Sequence, residues 1–390
     1  MAVINRIAGY SEEMAAWRQH LHAHPELAFD CVNTAAFVVE RLKAFGIEEI
    51  HGGFAKTGLV ALIHGKEPGP VIGLRADMDA LPIPEETGLD YASMVPGVMH
   101  ACGHDGHTVM LLGAARYLAE TRNFAGTVAL IFQPAEEDGG GANVMVQEGV
   151  LDRFGISEVY ALHNAPGVPE GQFYTTPGPI MAAVDTFHIH VKGRGGHGAM
   201  PHLNIDPVLI AAQIIIALQQ VVSRVTDPKT PSVLSIGKVI ANGATNVIPN
   251  EVKMEGTFRT LDETWRAAAK IKIQEIAQGI AQSMGGTCDI EIKNGYPFLV
   301  NEENTTNITR LAAEEYLGKE QVVELDIWMA AEDFAYYSQE VPACFYRLGT
   351  RNESKGITAS VHTPNFDIDE SALNIGPGLM AYAAIKLLES

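Results

Sequence analysis

The sequence predicts an α/β protein interrupted by a smaller α+β domain, and three observations carry that expectation. Early in the chain, helical stretches alternate with short, continuously apolar runs, the pattern of strands buried on both faces. From about residue 185 the order becomes β-α-β-β-α-β, a split βαβ or ferredoxin-like unit. After residue 297 the α/β character returns. With 390 residues the chain is also long for a single core. The expected division is a discontinuous main domain, 1–184 and 297–390, with 185–296 inserted.

In chain order, "SEEMAAWRQHLHAH" (11–24) and "NTAAFVVERLKAFG" (33–46) read as helices, the second stopped by Gly46. "GLVALIHG" (58–65), "PVIGLRA" (70–76), "TVALIFQ" (127–133) and "EVYALHN" (158–164) read as parallel strands, with a helix at 107–121 between the second and third. In the insert, strands are expected at 185–193, 231–240, 250–260 and 287–295. Helices are expected there at 206–223 and at 262–285, the latter capped by Asp262. A helix at 309–318, a strand at 342–349 and a terminal helix near 371–388 complete the main domain.

Composition narrows the function. The formal net charge is −20, from 27 basic and 47 acidic residues, a surface that repels phosphate backbones and anionic lipids. Neither nucleic acid nor a membrane is expected as a partner. No apolar stretch reads as long enough to span a bilayer, and the first 20 residues lack the pattern of a secretory leader. Four scattered cysteines, at 31, 102, 288 and 344, form no disulfide framework. The expected location is the cytoplasm.

The polar residues fall at the ends of the apolar runs. "PVIGLRA" leads into Asp77 and Asp79, "TVALIFQ" into Glu136, Glu137 and Asp138, and "EVYAL" into His163. Ligands of open α/β sheets bind outside the carboxyl ends of the strands. The segment "MHACGHDGH" (99–107), rich in histidine, enters a helix at what the same reading makes the same edge. Each residue alone has a bland explanation: a capping aspartate, a solvated glutamate pair, a surface histidine or a small buried cysteine. Together at one edge they point to chemistry. A nucleophilic cysteine is disfavoured, because the neighbouring carboxylates raise a thiol pKa. A metal ion reverses that logic and deprotonates the thiol. Cysteine, histidine and carboxylate ligands beside a spare glutamate suit a metal hydrolase.

On these residues the chain resembles the aminoacylase/carboxypeptidase metallopeptidase family, in its branch of hippurate hydrolases, N-acyl-amino-acid amidohydrolases and auxin-conjugate hydrolases. The matching segments include "LHAHPELAF", "GLRADMDALPI", "MHACGHDGHTVMLLGAA", "IFQPAEE", "GRGGHGAMPH", "NVIPNEV", "GTFRT", "AEDFAYY" and "VHTPNFDID". The resemblance implies a zinc-exopeptidase-like α/β/α catalytic domain with an inserted lid. It implies two divalent metal ions (Zn, Mn, Co or Ni), with Cys102 bridging and His104, His163, Glu137 and His362 as further ligands. Glu136 matches the general acid/base, and Asp79 a residue that orients a ligand. In the lid, His197 matches an oxyanion-stabilising histidine that reaches a neighbouring active site. Asn246 and Arg259 match residues that hold the substrate carboxylate. His100 and His107 are expected to be structural, and His20, His22 and His24 to line a helix face or turn.

The expected activity is hydrolysis of small N-acyl-L-amino acids by a homo-oligomer, most simply a dimer formed through the lid. A carboxypeptidase or dipeptidase using the same machinery is the enzymatic rival. A non-catalytic metal- or acyl-amino-acid-binding protein is the rival of another class; Glu136 beside Glu137 argues against it, since binding alone needs no proton shuttle.

Overall fold

The structure is a computed structural model and describes residues 2–390. The chain begins with helices α1 (Ala2–Ala8), α2 (Ser11–Ala23) and α3 (Val32–Ala44). Strands β1 (Ile50–Phe54), β2 (Gly58–His64) and β3 (Glu67–Asp77) come next, then α4 (His104–Thr121) and β4 (Ala125–Gln133). Short helices α5 (Gly141–Gln147) and α6 (Val150–Phe154) lead to β5 (Ile156–Pro169), β6 (Phe173–Thr175) and β7 (Gly178–Met181). The middle of the chain forms β8 (Ala183–Lys192), β9 (Gly196–His197), α7 (Pro207–Gln220), β10 (Ser232–Ile240) and β11 (Val247–Ile248). It continues through β12 (Glu251–Thr260), α8 (Glu263–Ser283), β13 (Thr287–Asn294) and β14 (Leu299–Asn301). The last part holds α9 (Glu303–Leu317), β15 (Val322–Glu324), α10 (Ala335–Glu340), β16 (Ala343–Arg351) and α11 (Gly376–Leu388).

Two compact units result. The first comprises the chain up to Gly178, Val300–Asp326 and Asp333–Ser390. Its centre is an eight-stranded sheet in the order β1-β2-β4-β3-β5-β16-β6-β15. β3 runs parallel to β4 and β5, and β5 parallel to β16. Helices α2, α9 and α11 pack around α4, α11 and β3, while α5, α6 and α10 contact β4, β5 and β16. One apolar cluster joins them, from Leu59 and Leu74 in the sheet to Met110 in α4 and Leu379 in α11. The run at 58–64, expected to be parallel, is antiparallel to β4, with Leu59 opposite Phe132. A central antiparallel strand is buried on both faces just as a parallel one is, so an apolar run does not distinguish them.

The second unit comprises Pro179–Leu299 and Ile327–Glu332. Its four-stranded antiparallel sheet has the order β10-β12-β8-β13, the topology of a ferredoxin-like βαββαβ unit. β8 alternates buried Phe187, Ile189 and Val191 with more exposed His188, His190 and Lys192, and its buried face meets Ile210 and Ile214 of α7 and Ile273 of α8. Asp206 caps α7 by accepting from Val208 N at 2.8 Å. Asp262 caps α8 by accepting from Trp265 N at 2.7 Å. Ile327–Glu332 joins this unit from far along the chain, through Trp328 N to Ile180 O (2.9 Å) and Ala182 N to Ala330 O (3.0 Å).

One sequence expectation needs correction here. Pro207–Val225, which is α7 with a π turn at its end, is long and apolar enough to cross a membrane by length and composition alone. Its apolar content was masked by the polar side chains Gln213, Gln219 and Gln220 spaced along it. One face, Ile210, Ile214, Leu218 and Val221, is buried in the unit's own core.

Candidate metal centre

Five segments of the first unit converge at the carboxyl ends of β3, β4 and β5. β3 ends on Asp77, opposite Gln133 at the end of β4, so the chain beyond each strand emerges side by side. Asp79 follows β3 and Glu136–Glu137 follow β4. Cys102 and Gly103 lead into α4, whose first residue is His104. His163 lies on β5, which continues past its pairing with β3 and stays paired with β16, placing His163 opposite Arg347. His362 arrives from the last segment, its backbone N–H donating to Ala101 O at 2.7 Å.

The side chains form two donor triads with Cys102 common to both. Cys102, His104 and His163 make one and Cys102, Glu137 and His362 the other; within each, ligand atoms lie within 4.8 Å of one another. Cys102 Sγ is 3.6 Å from His163 Nε2, and His104 Nε2 is 3.8 Å from Glu137 Oε1. His362 Nε2 is 3.1 Å from Glu137 Oε1, at ion-pair distance, yet that oxygen makes no aligned hydrogen bond. Both ring nitrogens of buried His104 also lack a hydrogen-bond partner. Buried polar atoms are ordinarily satisfied, so donors aimed at common points with His104 and Glu137 Oε1 left unsatisfied fit bound cations.

Electrostatics agrees. Burial, then Glu137, Glu136 and Asp77, push the Cys102 thiol far above its ordinary range, so its surroundings alone do not sustain a thiolate nucleophile. Burial, then His107, hold His163 well below the usual imidazole value, keeping it neutral. His163 Nδ1–H donates to Asn164 O at 2.7 Å, which leaves the Nε2 lone pair for a metal. Glu137 is raised by burial but ends below the usual carboxylate value because His362 and His104 outweigh it.

In a third buried triad, Asp77, His104 and His107, the atoms of Asp77 and His107 are already paired. His107 Nδ1 is 2.6 Å from Asp77 Oδ1, and its Nε2 accepts Asn164 N–H at 2.9 Å. Asp77 Oδ2 takes Arg75 Nη1 at 2.6 Å. His107 therefore serves the loop: it holds Asn164, whose side-chain amide donates to Cys102 O. His100, in the same loop, is buried, and that burial lowers its imidazole to about 3.

Asp79 does more than the sequence suggests. Its carboxylate accepts Glu136 N at 2.9 Å and Glu137 N at 3.0 Å, holding the turn that aims both glutamates, and it lies 3.5 Å from His104 Nδ1. That turn passes through Ala135 at φ +59°, and His362 sits at φ +61°. Non-glycine residues held there cost on the order of 1–3 kcal/mol each and persist where the surroundings over-determine them.

Asp333 is a site residue the sequence reading left without a role. Its N–H lies 3.3 Å from Glu136 Oε1, and its carboxylate takes Arg75 Nη2 (2.8 Å), Gln133 Nε2 (2.8 Å) and Ala142 N (2.9 Å). The signal was present in "AEDFAYY", an acidic pair in an otherwise apolar stretch.

The three remaining candidates belong to the second unit. His197 on β9 pairs with Val247 on β11, and Gly198 N donates to Asn246 O at 2.8 Å, so His197 and Asn246 are neighbours. His197 is exposed, and its Nδ1 accepts Ala199 N–H at 3.1 Å, which leaves Nε2 for another partner. Arg259, on the separate sheet strand β12, is half-buried and donates from Nη1 to Met329 O at 2.8 Å.

The profile of peptidase family M20/M25/M40 matches residues 73–386. The chain belongs to this family. A thermostable carboxypeptidase of Saccharolobus solfataricus is 39% identical over 394 aligned residues, covering 99% of both chains. An N-acyl-L-amino acid amidohydrolase of Geobacillus stearothermophilus is 46% identical over 291 residues, 74% of this chain and 78% of that one. A Bacillus subtilis crystal structure described as a dinuclear metal-binding peptidase of family M20 superposes with a TM-score of 0.86 at 38% identity, covering 98% of this chain and 99% of that one. As a member of the M20/M25/M40 family the chain is a metal-dependent hydrolase, and its two donor triads are able to hold two ions.

Proposed function

We propose that this chain hydrolyses N-acyl-L-amino acids to the free acid and the amino acid, and that the residues assigned from the sequence carry the reaction. The observation that supports this most directly is the pair of donor triads sharing Cys102, with the second carboxylate of Glu136 beside them. Cys102, His104, His163, Glu137 and His362 would hold two divalent ions, Cys102 between them. Its sulfur softens the site and leaves Zn, Mn, Co and Ni as candidates. The ions supply positive charge that polarises the amide carbonyl and acidifies water.

Glu136 takes the proton of the attacking water and returns it to the leaving amine as the C–N bond breaks. Asp79 keeps the Glu136–Glu137 turn aimed, and the Asp333 N–H steadies the Glu136 carboxylate. His197 Nε2 stabilises the developing oxyanion, contributed from a second copy of the chain. The Arg259 fork and the Asn246 amide bind the substrate carboxylate. The segment 185–296 then acts as lid and dimerisation domain, and a cytoplasmic homodimer follows. The four cysteines are free, in keeping with a reducing compartment.

The similarity to a carboxypeptidase favours one second reading, cleavage of peptide bonds with the same machinery. The decisive experiment is turnover of hippurate, N-acetyl amino acids, indoleacetyl conjugates and dipeptides after chelation and after return of each metal. Metal-restored cleavage of N-acyl amino acids but not dipeptides is expected, and dipeptides alone would move the activity to the peptidases. Glu136→Gln, loaded with metal, is expected to lose turnover while keeping both ions; an active Glu136→Gln sinks the assigned role. Light scattering after size exclusion is expected to give a dimer, and a stable monomer would remove His197 from a neighbour's site.

A further inference from the structure

Helix α2 sends two side chains one turn apart, Arg18 and His22, beneath the loops that bear the metal donors, and the proposed chemistry uses neither. Arg18 is fully buried. Its Nε lies 3.0 Å from Asp105 Oδ2 and its Nη2 2.5 Å from Asp367 Oδ1, while Nη1 is 3.6 Å from Glu370 Oε1. The two carboxylates it joins belong to different donor segments. Asp105 immediately follows His104 in the first turn of α4, and Asp367 lies five residues beyond His362. His22 Nδ1 is 2.8 Å from the same Asp105 Oδ2 and its Nε2 is 3.3 Å from Glu85 Oε1, so the aspartate is held from two sides.

The His362 side needs such a restraint. Its side chain is half exposed, so packing does not fix the ring. The segment is tied at one end by His362 N–H to Ala101 O, in its middle by Glu86 N–H to Pro364 O at 2.8 Å, and beyond that by Phe366 packing with Met99 and Ala101. At the far end the polar tie is Asp367, to Arg18 and to the Tyr91 hydroxyl at 3.3 Å. A planar guanidinium spans two carboxylates at fixed separation, which an ammonium does not.

We propose that Arg18 is a positioning residue for the metal centre, its fork setting the His104 turn of α4 against the His362 segment so that the two donor triads form together. The inference rests on the metal-centre reading above. It explains a fully buried arginine whose desolvation is costly.

Two variants test it in the full-length chain. Arg18→Lys keeps a cation and loses the fork. Asp367→Asn leaves Arg18 paired with Asp105, removes the charge from the tie to the His362 segment, and turns an NH2 group towards one of its two donors, Arg18 or the Tyr91 hydroxyl. Zn and Mn stoichiometry and affinity are read by competition with a chromophoric chelator, together with thermal melting of the metal-free protein. For Asp367→Asn we expect one metal equivalent to weaken by about 10–100-fold, the other to stay as in the wild type, and metal-free melting to change little. Arg18→Lys is expected to weaken both equivalents. Wild-type affinity for both equivalents in Asp367→Asn overturns the proposal, whatever Arg18→Lys does to melting. A wild-type chain that takes up no metal instead overturns the metal-centre reading itself.

Discussion

Asp79→Asn isolates one interaction on which the proposed chemistry depends. The Asp79 carboxylate accepts two backbone N–H groups, Glu136 N at 2.9 Å and Glu137 N at 3.0 Å, one on each oxygen. Asparagine retains one oxygen and turns an NH2 group towards the other N–H. The lost charge-assisted hydrogen bond costs about 1.5–3 kcal/mol, and the N–H left unpaired costs about 1–3 kcal/mol more. The turn through Ala135 at φ +59° is thereby penalised by roughly 2.5–6 kcal/mol, in the geometry that aims both glutamates. Since about 1.4 kcal/mol is tenfold in rate, a loss of about 60-fold or more in kcat is expected. Hydrolysis of an N-acyl amino acid in saturating metal measures it, with metal content measured in parallel. A variant with kcat within about threefold of wild type and both ions retained would refute the reasoning, because the turn would then hold without its acceptor.

Three further outcomes follow from the same geometry. Gly103→Ala puts a methyl group where φ is +88° and Asn164 Cγ would lie 3.0 Å away, displacing the amide that donates to Cys102 O. A loss of at least about 1–2 kcal/mol in urea unfolding is expected from the backbone alone, together with weaker metal binding; unchanged values would count against a tight loop. Although burial lowers it, the His22 imidazole is raised to about 9 by Asp105 and Glu85. Its stabilising contribution is therefore complete below pH 6.5 and lost as pH rises towards 9, a change on the order of 3 kcal/mol. The stability gap between metal-free wild type and His22→Gln should shrink over that interval, and a gap independent of pH would refute the pairing. Cys102→Ala removes the donor common to both triads and is expected to lower the affinity of both metal equivalents, whereas loss of one alone would deny it a shared position.

Much of the site was legible because its parts are local. The runs 70–76 and 127–133 end where the acidic residues begin, and β3 and β4 do place Asp77 beside Gln133 at one sheet edge. The histidine- and cysteine-rich loop did prove to enter a helix, though the helix starts at His104 rather than His107. Glycine at 103, in the left-handed region, lets the chain turn directly into α4, so a ligand becomes its first residue.

Other features lay beyond local pattern. Arg18 reads as one cation on a surface-like helix until Asp105 and Asp367, 87 and 349 residues away, close around it. Asp333 reaches Gln133 across 200 residues, and the antiparallel direction of β2 depends on which strand lies beside it.

The boundary between the two kinds of knowledge is therefore one of range. Residue order alone determined the α/β alternation, the ferredoxin-like insert and the family resemblance, because apolar period and motif spacing act over a few residues, and that resemblance is what proposes Cys102, His104, Glu137, His163 and His362 as donors. Tertiary structure alone decided which of the buried histidines has lone pairs to spare, that Asp79 holds a peptide turn, and that Arg18 bridges two donor segments. Those outcomes depend on hydrogen-bond partners brought together by packing, and no local rule specifies which distant atom will fill a lone pair.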